Sequence, residues 1–103
     1  MSSSTVLITH PDCLGHETPQ GHPEQMARLE VVLKALERLP VEVLSAPLAQ
    51  EADLLSVHPQ HYFDALRAAS PAHGHAALDA DTHLSAGSLK AAYRAAGGVL
   101  LAV

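Results

Sequence analysis

Apolar residues fall along this chain in two kinds of run, short β-branched ones and longer ones with helical spacing. Thr5-Val6-Leu7-Ile8-Thr9 shows no polar alternation, the pattern of a strand buried in a parallel sheet. The stretch from His10 to His22 then has no apolar period at all. Beyond Pro23, Met26, Leu29, Leu33 and Leu36 recur at helical spacing, and Val32 widens the stripe. Pro23 suits the first turn of that helix, where its missing N–H costs nothing. Glu24 adds favourable charge there, and Glu30 and Lys34 pair on the outer face. Pro40 stops the helix. Val41-Glu42-Val43-Leu44 predicts a second short strand, closed by Pro47. Strand, helix, strand in this order is a βαβ-like unit and predicts an α/β fold.

The second half is richer in helices. Residues 50–57 predict a short helix, and His58-Pro59 punctuates it. Gln60 to Ala69 predicts another, with Tyr62, Phe63 and Leu66 inward. Ser70 to His75 reads as a loop and Leu78 to His83 as a polar turn. Ser85 or Ser88 is placed to cap a last helix. Its apolar side is Leu89, Ala92, Ala96, Val99, Leu100 and Val103. Gly97-Gly98 costs that helix roughly 1 kcal/mol per glycine against alanine, so a close approach to a neighbour is expected there. The pattern is still apolar and periodic at Val103, without a Gly, Asn or Pro stop. The chain therefore reads as the N-terminal portion, residues 1–103, of a single larger domain. Two short strands and a few Ala-rich helices cannot cover a parallel sheet, so apolar faces are expected to stay open to water.

Composition narrows the function. The chain has 103 residues, a formal charge of −5 and only six Lys plus Arg, which argues against nucleic acid or an anionic membrane as partner. Aromatic content is 3% with no Trp, so Ala, Leu and Val must build the core. A single cysteine excludes an internal disulfide and suits a reducing, cytoplasmic setting. The Met-Ser-Ser-Ser-Thr start has neither the basic region nor the apolar core of a signal peptide.

The candidate chemistry gathers in the polar stretch. His10, Cys13, His16 and His22 include a His-x2-Cys-x2-His spacing, a set able to hold zinc through nitrogen and sulfur. The paired cysteines of structural zinc sites are missing. The alternative is a solvent-facing loop with Cys13 tucked in as a small apolar residue. His58 and His61 fit a helix cap and a surface position. Neither Ser88 nor Cys13 has an evident base beside it, which sets covalent catalysis aside.

The order of motifs resembles a known family. It runs from an apolar strand through a His- and Cys-bearing loop to Gly21-His22-Pro23-Glu24, Arg28 and an amphipathic helix. Val57-His58 with Tyr62 follows, then Leu78-Asp79-Ala80-Asp81-Thr82. Ser88 leads to Ala91-Ala92 and Ala95-Ala96-Gly97-Gly98. Together these resemble the start of the histone deacetylase superfamily, on its class II and acetylpolyamine amidohydrolase side. The resemblance covers residues from about 5 to 103. One departure is that Gln25-Met26-Ala27 fills an interval where the family often carries a second proline, so a looser helix start is expected.

The resemblance implies an arginase-like, three-layer α/β fold with a parallel sheet. It implies hydrolysis of acetyl-lysine or acetylated polyamines by a zinc-dependent enzyme. The catalytic histidines, the zinc ligands and the oxyanion-stabilising tyrosine are expected downstream of Val103, so the chain alone should be inactive. Its expected partner is then the remainder of its own domain, with a homo-oligomer as a further arrangement. Arg28 matches an arginine that handles the acetate product, a role suited to bidentate carboxylate binding. Otherwise it is a helix-surface arginine paired with a glutamate. Asp79 and Asp81 fall in a segment that reaches the pocket rim, where a carboxylate can hold a substrate N–H. Otherwise either one caps an Asx-type turn. Set against the enzyme reading is a small His/Cys metal-binding or interaction module built on residues 10–22.

Overall fold

The computed structural model describes residues 5–103, so the expectation about a signal peptide, which rests on residues 1–4, lies outside it. The first strand, β1 (Val6–Thr9), pairs in parallel with β2 (Glu42–Ser45), with Val6 opposite Glu42 and Thr9 opposite Ser45. Helix α1 (Met26–Leu36) makes the crossover between them. Short helices α2 (Glu51–Leu55) and α3 (Gln60–Ala69) follow. A small antiparallel hairpin, β3 (His75–Ala77) and β4 (His83–Ser85), then leads into α4 (Ser88–Ala102). The parallel βαβ unit is as expected, and the fold is α/β.

Several elements depart from the expectation. Helix α1 starts at Met26 rather than Pro23, because residues 22–25 close a turn of their own. In it the Nδ1 atom of His22 accepts the Glu24 N–H at 3.1 Å, and Gln25 Nε2 donates to the His22 carbonyl at 2.8 Å. The hydroxyl of Thr18 also donates to the Glu24 carbonyl. The strands are not buried: all of β2 is exposed and β1 is at most half-buried, in a sheet of only two strands. Tyr62 lies outward, stacked on the His58 ring at 5.1 Å, and Phe63 alone of α3 is buried. Neither serine is the α4 cap. Gly87 holds that position, Ser88 is the first helical residue, and its hydroxyl accepts the Ser85 N–H at 2.7 Å.

The same helix buries a different face from the one its apolar stripe suggests. Ser88, Ala91 and Gly97 go inward, while Val99, Leu100 and Leu101 stay exposed. Helix α4 lies against β1, β4 and a 3-10 turn at Pro11–Gly15. Gly97 is where the close approach occurs: a β-carbon there would overlap the Pro47 carbonyl oxygen and sit 2.7 Å from its carbon. Next to it, the Tyr93 carbonyl accepts the Ala49 N–H at 3.0 Å. The half-buried Arg94 ties the layers together, donating to Asp12 Oδ2 at 2.9 Å and to the Ala46 carbonyl at 3.0 Å.

The core is correspondingly thin. Its buried apolar members among the described residues are Ala46, Ala49, Phe63, Leu84 and Ala91. The radius of gyration is 15.3 Å, against about 13 Å for a compact chain of this length. No helix among the described residues is long and apolar enough to cross a membrane.

Candidate functional site

The turn before α1, the β3–β4 turn and the first half of α4 border an open cavity of about 910 Å3. Local chemistry shapes each wall. Gly21, with φ +86°, takes the left-handed conformation that a side chain would resist, and the His22 N–H closes that turn on the Pro19 carbonyl at 3.0 Å. This presents His22 across to the hairpin. There its Nε2 lies 2.8 Å from the Asp81 carbonyl, and its ring meets His83 edge-on at 5.3 Å. Because Nδ1 accepts an N–H from Glu24, the ring proton must sit on Nε2 and be donated to Asp81. Both His22 nitrogens are thus spent on backbone, and the ring straps the two turns together.

The hairpin turn separates its two aspartates. One Asp79 oxygen accepts the N–H groups of Asp81 and Thr82, each at 2.8 Å. Those hydrogen bonds, the Asp81 one foremost, hold the Asp79 carboxyl below its ordinary pKa. Asp79 therefore takes the Asx-turn role. Asp81 lines the cavity, and its carboxylate has no partner among the described residues. Arg28 lines the same cavity from α1. Its guanidinium reaches Glu24 Oε2 only at 3.5 Å, an exposed i,i+4 contact that holds it weakly. The pairing with a glutamate is present, and the same side chain borders the cavity.

The loop residues take separate positions. His10 caps the 3-10 turn, its Nδ1 accepting the Asp12 N–H at 3.0 Å. That nitrogen also lies 3.3 Å from Asp12 Oδ2. A lone pair already used by an N–H cannot donate, and the carboxylate has Arg94 instead. Cys13 is a free, half-buried thiol on the cavity wall. His16, also on that wall, places Nδ1 2.6 Å from the buried Ser88 hydroxyl. Among the described residues no three His, Cys, Asp or Glu side chains converge as a metal site. His10, Cys13, His16 and His22 are not brought together, and the described residues do not fit a zinc ion. The Ser85–Ser88 contacts with residues 15–17 span about seventy positions of sequence. No spacing rule reads a pairing that distant.

The histone deacetylase domain matches residues 22–103, from the His22 strap to the end of α4. The chain belongs to the histone deacetylase superfamily, a family of deacetylase-type hydrolases that generally depend on zinc. No curated protein matches the chain. The 3-10 turn, Cys13 and His16 precede the matched segment.

Proposed function

We propose that this chain forms one wall of the pocket of a zinc-dependent deacetylase acting on acetyl-lysine or acetylated polyamines. The observation that carries this reading is the cavity itself. Within the family-matched segment it collects Asp81, a carboxylate unpartnered among the described residues, and a weakly held guanidinium, Arg28. Hydrolysis of an acetylated amine breaks the amide C–N bond with water and yields acetate and the free amine. Asp81 suits the N–H groups of the substrate, and Arg28 suits the departing carboxylate. His22 contributes by holding the Asp81 turn against the α1 entrance. The zinc ligands and proton-transfer groups belong, in this reading, to polypeptide beyond this chain. That polypeptide would also cover the open apolar faces of residues such as Val31 and Val43.

The test is acetate release by the zinc-loaded whole domain, with an acetyl-lysine peptide and an acetylated polyamine as rival substrates. Asp81→Ala is expected to lower kcat/KM about tenfold or more, the loss of one charge-assisted hydrogen bond. Asp79→Ala is expected to act through stability of the turn instead. Full activity in Asp81→Ala, or no zinc-dependent acetate release from either substrate, would overturn the reading.

A further inference from the structure

Ser85 and Ser88 are 2% and 5% exposed, the two buried polar residues among those described. They join His16 to the Gly15 carbonyl through a set of contacts whose protons can be counted. Ser85 Oγ accepts the Glu17 N–H at 2.9 Å and lies 3.1 Å from the Gly15 carbonyl, which can only accept. Ser88 Oγ accepts the Ser85 N–H at 2.7 Å, lies 3.1 Å from Ser85 Oγ, and lies 2.6 Å from His16 Nδ1. Each hydroxyl has one proton to give.

If Ser85 donates to Gly15, only Ser88 can supply the proton between the two hydroxyls. His16 must then supply the one between Nδ1 and Ser88. This assignment gives all five contacts a proton. The two alternatives, in which Ser88 donates to His16, each leave one close oxygen–oxygen contact with no proton in it. Inside the fold such a facing pair of lone pairs is costly. In its neutral form the His16 ring therefore carries its proton on Nδ1, and Nε2 is a bare lone pair. That Nε2 has no partner among the described residues, and His16 lines the cavity.

We propose that His16 is a ligand-binding side chain of this cavity, held as a hydrogen-bond acceptor by the buried Ser88–Ser85 relay. Its ligand is a small amide or amine that presents an N–H. The neighbouring walls, Leu84, Leu89, Ala91, Ala92 and Ala95, are apolar and suit the carbon part of such a ligand. Ser85 and Ser88 are positioning residues that fix the tautomer without touching the ligand. The inference concerns a residue before the family-matched segment and stands whether or not the chain is part of a deacetylase.

The test is nitrogen NMR on the full chain labelled with 15N-histidine. The His16 ring is expected as the Nδ1–H tautomer with an unprotonated Nε2. Ser88→Ala is expected to shift it toward Nε2–H. Titration with acetamide is expected to move the Nε2 resonance, whereas N,N-dimethylacetamide, which has the carbonyl but no N–H, leaves it in place. An Nε2–H ring in the unmutated chain would overturn the relay, and that measurement needs no variant to fold. Equal responses to the two amides, or none to either, would overturn the acceptor role.

Discussion

The inner seam of α4 and the Val31–Val32 side of α1 both present apolar residues, yet only one of them is covered. On α4 the inward residues are small: Ser88, Ala91 and Gly97 bring backbone against backbone, and Arg94 and two serines add hydrogen bonds across the seam. On α1 the residues are larger and more apolar, but Val31 is 68% exposed and no residue of the helix is buried. On β2, Val43 is likewise 61% exposed. Fully burying such a side chain contributes about 1.5–3 kcal/mol, and these faces forgo most of it. The fold is held where side chains are smallest, because small residues let carbonyls and N–H groups of different elements meet. Apolar content alone does not say which face is closed.

The largest effect should come from the closest contact in the seam. Gly97→Ala places a β-carbon onto the Pro47 carbonyl, and a backbone group cannot swing aside as a side chain can. Overpacking of this kind costs about 1–3 kcal/mol or more, which outweighs the roughly 1 kcal/mol that alanine contributes to a helix interior. Gly98→Ala is the internal control. Its β-carbon would stand 3.4 Å from Ala46 Cβ and from Ile8 Cγ2, a snug fit without overlap. Denaturant titration should show Gly97→Ala strongly destabilised and Gly98→Ala near neutral or stabilised. Equal behaviour of the two variants would break the contrast between seam and open face.

A smaller, pH-dependent effect should come from the ion pair in the same seam. Hydrogen bonding to Arg94 holds the Asp12 carboxyl below its ordinary pKa of 3.8. A depressed folded-state value means that the carboxylate contributes stability above pH 3.8 and loses it as pH falls through the folded value. Asp12→Asn should therefore be less stable than the parent chain near neutral pH. The gap should narrow only below about pH 4, as the parent's own Asp12 protonates. A gap that stays constant down to about pH 2, or one that opens as pH falls, would mean that Arg94 does not hold this carboxylate.

Sequence patterning reaches the βαβ unit, the α3 boundaries and the close approach at the glycine pair, because each leaves a local mark. Thr5 to Thr9 is mostly β-branched, Gln60 follows a proline, and Gly97-Gly98 interrupts an otherwise good helix. The family resemblance singles out Arg28, Asp79 and Asp81 alike, and of these Arg28 and Asp81 border the cavity. Patterning does not choose between Asp79 and Asp81. That depends on which carboxylate the turn's own N–H groups point at, and both sequence neighbourhoods look alike. The β3–β4 hairpin escapes it because strands such as His75-Ala76-Ala77 are too short and too plain to show alternation. The apolar stripe of α4 points to the wrong buried face for a related reason. Hydropathy favours Val99 and Leu100, while close backbone approach favours Gly97 and Ala91. The Ser85–Ser88–His16 relay joins distant parts of the chain, and its residues carry no local signal.

The smallest effect sharpens the comparison from the other side. Val31→Lys on α1 removes an apolar side chain that, in this chain, already faces water. Lysine is a slightly better helix former than valine, and surface changes of this type usually fall within about 0.5 kcal/mol. The unfolding midpoint of the chain should hardly move. Self-association and binding of a hydrophobic dye should fall, because a charge now interrupts the exposed stripe that includes Val32. In the whole domain the same change should behave differently. If other polypeptide covers this face, the introduced ammonium group would be buried without a partner and cost several times as much. A near-zero effect in both settings would mean that the α1 face stays open to water in the complete domain. A large effect in the isolated chain would mean that the face is already covered, and the contrast with α4 would be lost.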